Sequence, residues 1–201
     1  KTEFLSLQMK NIRIEREKVQ MVFKVGLPQA CQFSATQISF LIILAMVNSY
    51  GVIAAAAVGA VNRVATFAQL PGQALNVGVL TTTAQNLPLQ NYKRILKSML
   101  YAILIALGIA AVFCCISVVR PEVLLGIFTN EQEVITVGTL YLILVSVGTV
   151  IESPIYTMTG VVSGAGYTTI TMVGALTAAF GRIIIALILQ NVTSLGLYSI
   201  G

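Results

Sequence analysis

The sequence predicts an all-α fold, a polytopic transmembrane helix bundle with five spans, and three observations carry that prediction. Hydrophobic residues make up 57% of the 201-residue chain and charged ones 9%, against roughly 25% charged in an ordinary soluble domain. The mean hydropathy is +0.90, which is more apolar surface than a water-soluble fold can hide. Five segments each supply the ~20 apolar residues that a helix needs to cross a bilayer.

Residues 1–24 read as a cytoplasmic linker whose second half, Glu15 to Lys24, forms an amphipathic helix leading into the first span. The transmembrane helical lobe then covers residues 25–201. Its first span runs from about Val25 to Val47, the second from about Ile53 to Thr83 and the third from about Ser98 to Val119. The fourth covers about Val134 to Val162 and the fifth about Thr168 to Leu189.

Orientation follows from the basic residues. Lys10, Arg13, Arg16, Lys18 and Lys24 precede the first span, and Lys93, Arg94 and Lys97 lie between the second and third. An excess of Lys and Arg marks cytoplasmic loops, so residues 1–24 and 88–97 are expected inside the cell. Arg120, Glu122, Glu131 and Glu133 then fall outside, as do Asn191 to Ile200. Read this way, the net charge of +5 is a topology signal and does not call for a nucleic-acid partner.

Composition also excludes most bond chemistry. Histidine and aspartate are both absent, which removes catalytic triads, zinc-binding HExxH helices and paired-aspartate proteases. No catalytic residue, metal site or cofactor is expected. Cys31, Cys114 and Cys115 sit in apolar runs without metal or disulfide spacing and read as small hydrophobes.

The spans are not uniformly apolar. Asn62, Thr66, Gln69, Gln73 and Asn76 recur at steps of three and four, which places them on one face of the second helix. Gln29, Gln32, Thr36 and Ser39 repeat the pattern in the first span, and Ser146, Thr149, Ser153, Tyr156 and Gly160 do so in the fourth. Two explanations compete. Polar residues glue membrane helices together by hydrogen bonds, or they line a hydrated cavity, which suits amides whose several hydrogen-bonding sites are hard to satisfy in a dry interface. The expected cavity-lining set is Gln32, Thr36, Gln69, Gln73, Asn76 and Tyr156. Pro28, Pro71 and Pro154 remove backbone hydrogen bonds inside or beside these spans and are candidate hinges.

Glu152 stands apart from all of these. It is the only acidic residue after Glu133, with eighteen uncharged residues before it and nearly thirty after. It lies about twelve residues, or roughly 18 Å, from the cytoplasmic end of its span. A carboxylate in membrane-grade sequence is expensive, and such groups mark ion or substrate pathways. A low-dielectric site favours the protonated form of a carboxyl, and an arriving cation favours the ionised one. That two-state behaviour suits the coupling of an ion to transport. A structural carboxylate paired with Arg63 or Arg182 is the competing reading.

The chain resembles the multidrug and toxic compound extrusion family of transporters. Gly26-Leu27-Pro28 is similar to the head of that family's seventh helix. The stretch with Ala55-Ala56, Arg63, Leu70-Pro71 and Gln85-Asn86, followed by Asn91-Tyr92-Lys93-Arg94, resembles the eighth helix and its exit. Pro121 through Thr129 resembles the loop after the ninth helix, and Gly160 through Gly166 the end of the tenth.

The resemblance implies twelve helices in two six-helix lobes around a central cavity. This chain would be five spans of the six-helix second lobe, a fragment without its final helix, partnered by the amino-terminal lobe. In one branch of the family a tenth-helix carboxylate helps bind the coupling cation, and Glu152 occupies the matching position. The seventh-helix glutamate of that branch is Thr36 here, flanked by Gln37. The Gly-Ala-Gly usually following Gln-Asn is replaced by Pro88-Leu89-Gln90. These departures leave H+ and Na+ both open as the coupling ion.

The resulting expectation is a cation-coupled antiporter in the plasma membrane that exports amphipathic or cationic organic compounds. A lipid-linked oligosaccharide flippase of the same superfamily is one alternative, although a pyrophosphate cargo calls for more basic residues in the spans than Arg63 and Arg182. A non-transporting membrane scaffold is the other.

Overall fold

The computed structural model describes residues 15–192, with side chains through Ile188. Residues 1–14 of the expected linker and the outer segment from residue 193 onward lie outside the described residues. Six helices follow in order: α1 (Arg16–Asn48), α2 (Val52–Asn86), α3 (Tyr92–Val119), α4 (Pro121–Gly126), α5 (Gln132–Gly164) and α6 (Thr168–Val192). All except α4 are long and apolar enough to cross a membrane.

The helices run past the apolar segments that announce them. α2 has 35 residues and is therefore roughly 52 Å long at 1.5 Å per residue, well beyond a hydrocarbon core of about 30 Å, so it tilts or protrudes. α1 begins at Arg16, so the expected pre-span helix and the first span form one uninterrupted element, and every residue from Glu15 to Lys24 is exposed.

Two helix ends are closed by the same local device. After α5, Gly166 adopts φ +88°, its N–H bonds to the Ser163 carbonyl at 3.0 Å, and the Tyr167 N–H reaches Val162 at 3.1 Å. This is the paired-bond cap that a left-handed residue makes possible, and glycine meets it without a Cβ clash. After α2 the pattern repeats with Gln90 at φ 54°, bonding to Leu87 at 3.0 Å, and Asn91 bonding to Asn86 at 3.1 Å. Pro88 prevents α2 from continuing.

The short helix α4 was not foreseen, because six residues carry no periodic signal. Pro121 suits a first helical position, where no N–H is needed, and Leu125 anchors the turn with none of its surface exposed.

α2 and α5 form the most extensive helix pair, with α3 laid across both, whereas α1 pairs mainly with α6. The main apolar cluster joins Val47 of α1, Val58 and Val61 of α2, Leu125 of α4 and Leu142 of α5. By the charge-based orientation all of these lie toward the outer end. α3 turns Ala102, Ala106 and Ala110 inward at four-residue steps and leaves Leu104, Ile105 and Val112 exposed, as a lipid-facing surface requires.

At the opposite end, the α2/α5 contact is built on glycine. A Cβ on Gly160 would come 2.6 Å from the Asn76 carbonyl oxygen. One on Gly164 would run into the Leu80 carbonyl oxygen and come 2.9 Å from Thr83 Cβ. Small residues four apart let helix backbones approach where lipid supplies no hydrophobic drive. Between the outer core and the inner glycine seam, α2 and α5 part.

Candidate functional site

The gap is a pocket of about 50 Å³, room for a few water molecules at one probe sphere of 10–15 Å³ each. α5 contributes Thr149, Glu152, Ser153 and Tyr156, which the helical repeat gathers on one face. α2 supplies Ala68, Gln69, Gly72 and Gln73, and α3 closes the back with Ala106, Ile109 and Ala110. One carboxylate, two amides, two hydroxyls and a phenol thus meet against an apolar wall.

Proline shapes two edges of this pocket. Pro154 has no N–H to offer the Val150 carbonyl, and the neighbouring Ser153 hydroxyl takes that acceptor at 3.3 Å. Pro71 likewise leaves the Phe67 carbonyl without its helical donor. Gly72, next in sequence, exposes α2 backbone to the pocket. Pro71 and Pro154 sit inside continuous helices, and so does Pro28 in α1, away from the pocket.

The expected lining residues divide. Gln69, Gln73 and Tyr156 surround Glu152. Asn76 lies one turn further along α2, where its amide donates to the Tyr156 backbone carbonyl and to Thr159 Oγ1 at 3.1 Å. Gln32 and Thr36 stay on α1, which packs chiefly against α6, and the Thr36 hydroxyl bonds back to the Gln32 carbonyl at 3.0 Å. A helical stripe can therefore be cavity at one turn and packing at the next.

Neither arginine reaches Glu152. Among the described residues the only ion pair joins Lys18 and Glu15 at 3.0 Å, far along the chain from the pocket. The Arg182 guanidinium instead stacks over the Phe40 ring at 4.7 Å, which ties α6 to α1. Glu152 is exposed to the pocket and has no fixed countercharge there.

Sequence reasoning missed the α3 wall. Ala106, Ile109 and Ala110 carry no polar atom and look like any lipid-facing run; only their four-residue spacing of small side chains hints at a packed side. Thr149 and Ser153 were visible in the α5 stripe.

Oxygen donors predominate among the polar groups: the Glu152 carboxylate, the Gln69 and Gln73 amide oxygens and the Thr149 and Ser153 hydroxyls. Such a set suits a proton or a hard cation such as Na+, and it suits an organic cation through the carboxylate.

A sequence model of the MatE family matches residues 28–188. The chain is 27% identical to the probable multidrug resistance protein YoeA of Bacillus subtilis over 131 residues, which is 65% of this chain and 27% of that protein. It is 24% identical to the multidrug export protein MepA of Staphylococcus aureus over 166 residues, 82% of this chain and 36% of that protein. The aligned part is thus about a third of these relatives' length or less. The match runs from the middle of α1 into α6 and includes every pocket residue, and the chain belongs to the MatE family.

Proposed function

We propose that this multi-pass membrane chain forms part of a cation-coupled antiporter that exports amphipathic or cationic organic compounds across the plasma membrane, working with an amino-terminal lobe. The observation that carries the reading is the placement of Glu152: a carboxylate midway along a spanning helix, in a small pocket beside Gln69, Gln73 and Tyr156 and beyond reach of any guanidinium among the described residues.

A carboxylate without a permanent partner can exchange a proton or Na+ for a cationic substrate, because either occupant neutralises it. Occupancy by one then weakens binding of the other, which is the thermodynamic requirement for antiport. The names of the relatives, multidrug resistance and multidrug export proteins, support organic compounds as cargo. Among the described residues no basic side chain lines the pocket, which fits a cationic cargo better than a pyrophosphate lipid.

The test is Glu152→Gln in the full-length protein, reconstituted in liposomes with an imposed pH or Na+ gradient. Gradient-driven movement of a fluorescent organic cation should fall to background while membrane insertion is unchanged. Undiminished transport would remove Glu152 from the mechanism.

A further inference from the structure

A second, larger pocket of about 340 Å³ adjoins the first at Ala68, which lines both. Its walls are Val64 and Phe67 of α2, Phe113 of α3, and Leu124, Ile127 and Phe128 from α4 and the turn after it. The offset is similar on both long helices: Phe67 lies within a turn of Gln69, and Phe113 within a turn of Ala110. The two pockets therefore abut at Ala68, the first polar and at mid-span, the second apolar and toward the outer end, with α4 as the rim of the second.

We infer that the Phe67–Phe113–Phe128 pocket binds the flat aromatic body of an organic cation whose charged head sits at Glu152. This rests on the proposed role of Glu152 as the cation-binding group. Three observations commit the pocket to that occupant. Its volume falls within the range of small-molecule sites, about 300–1,000 Å³, whereas the Glu152 pocket alone holds only a few waters. Phe67 and Phe128 are stacked at 6.0 Å between ring centroids and 29° between planes, and Phe67 remains largely exposed at 64%. Its free face is thus available to another ring in offset stacking. Among the described residues Glu152 is the only charged side chain lining either pocket, so an elongated occupant spanning both is oriented with its cation inward and its apolar body toward α4.

The arrangement accounts for breadth of substrate as well. A hydrophobic pocket discriminates weakly between bodies that differ by a methylene or a ring substituent, and the carboxylate asks only for positive charge. Selectivity would then rest on overall shape: a cationic head joined closely to a planar apolar group.

The experiment uses the full-length protein in lipid nanodiscs and three probes with one head: tetramethylammonium, benzyltrimethylammonium and (naphthylmethyl)trimethylammonium. Affinities are read by displacement of bound ethidium. In the parent protein each added ring should tighten binding about tenfold or more, as expected for burial of aromatic surface. Phe113→Ala, which removes an aromatic wall of the pocket, and Leu124→Trp, which fills it, should each abolish most of that gain while leaving tetramethylammonium affinity unchanged.

Retained tetramethylammonium binding also certifies that a variant is folded. If Phe113→Ala fails that check, Leu124→Trp decides the matter. A ring-dependent gain that persists in a folded variant overturns the inference, and so does its absence in the parent protein, the result expected if a lipid acyl chain fills the pocket. Glu152→Gln reports separately on the head site. If it leaves all three affinities unchanged while the pocket variants still erase the ring gain, the proposed role of Glu152 fails and the aromatic subsite stands.

Discussion

The Asn76 amide on α2 donates to the backbone carbonyl of Tyr156 on α5, while the Tyr156 side chain lines the Glu152 pocket. The same amide reaches Thr159 Oγ1 at 3.1 Å, and that hydroxyl bonds to the Tyr156 carbonyl at 2.7 Å. One residue therefore ends the pocket and begins the seam, so the packing below it sets where its ring stands above.

Replacing Asn76 by Leu removes the cross-helix bonds and puts a bulkier apolar side chain beside Gly160. Interhelical hydrogen bonds in membranes are worth roughly 0.6–2 kcal/mol, and the Tyr156 carbonyl keeps its Thr159 partner. We expect a loss of about 1–2 kcal/mol, seen as a lower thermal midpoint of the detergent-solubilised protein. The cost should shrink when Thr159→Ala is already present, because the two side chains share one network. Equal costs in both backgrounds would mean that the network is not cooperative.

Gly164 makes a sharper demand on the same interface. An added methyl would meet backbone, the Leu80 carbonyl, and Thr83 Cβ, neither of which can rotate away. Gly164→Ala should therefore push α2 and α5 apart and destabilise the protein by about 1–3 kcal/mol, the range for overpacking. Gly78→Ala is the control: its position offers open space with nothing within 4 Å, and alanine is the better helix former. The prediction fails if the two variants melt together.

What the sequence made legible, and what it hid, follows from what periodicity can encode. Long apolar runs located the spanning helices, because a bilayer imposes a length. The 3.6-residue repeat placed Thr149, Ser153 and Tyr156 on one face of α5 and Gln69 and Gln73 on one face of α2, and the structure turns those faces toward each other with Glu152 among them. A repeat gives direction around a helix and says nothing of what stands opposite. Hence Asn76, in register with Gln69 and Gln73, meets backbone where they meet a void. Gln32 and Thr36 share the pattern on α1, but α1 takes α6 as its partner, a tertiary choice that no local pattern records. α4 escaped because its role is a single buried residue, Leu125.

Gln90 offers a test of local strain. It sits at φ 54°, in the left-handed region where an ordinary residue is disfavoured by about 1 kcal/mol or more. In the family pattern that Pro88-Leu89-Gln90 replaces, the third residue is glycine. Gln90→Gly should raise stability by about 0.5–1 kcal/mol, relief of the Cβ clash being partly offset by the entropy of a freer unfolded chain. Gln90→Val should lower it, since β-branching makes the same backbone harder to reach. A thermal midpoint that moves the same way for both would show that backbone strain at Gln90 does not govern the cap.

Accessibility along α2 separates a water-filled groove from a dry packing seam. Cys31 and Cys115 are exposed and Cys114 partly so, so all three must first become serine or alanine. Single cysteines are then placed at Gln69, Gln73, Asn76 and Thr83 and treated with a membrane-impermeant thiol reagent in the full-length protein. Positions 69 and 73 line the Glu152 pocket and should react, and bound substrate cation should slow them. Asn76 is engaged with α5 and Thr83 is 1% exposed against the glycine seam, so both should resist. The contrast lies within one helix and within about four turns, so differences in expression or insertion cannot produce it. Four unreactive positions would mean that α2 is packed along its whole length, and the chain would then be better described as a scaffold than as part of a transport path.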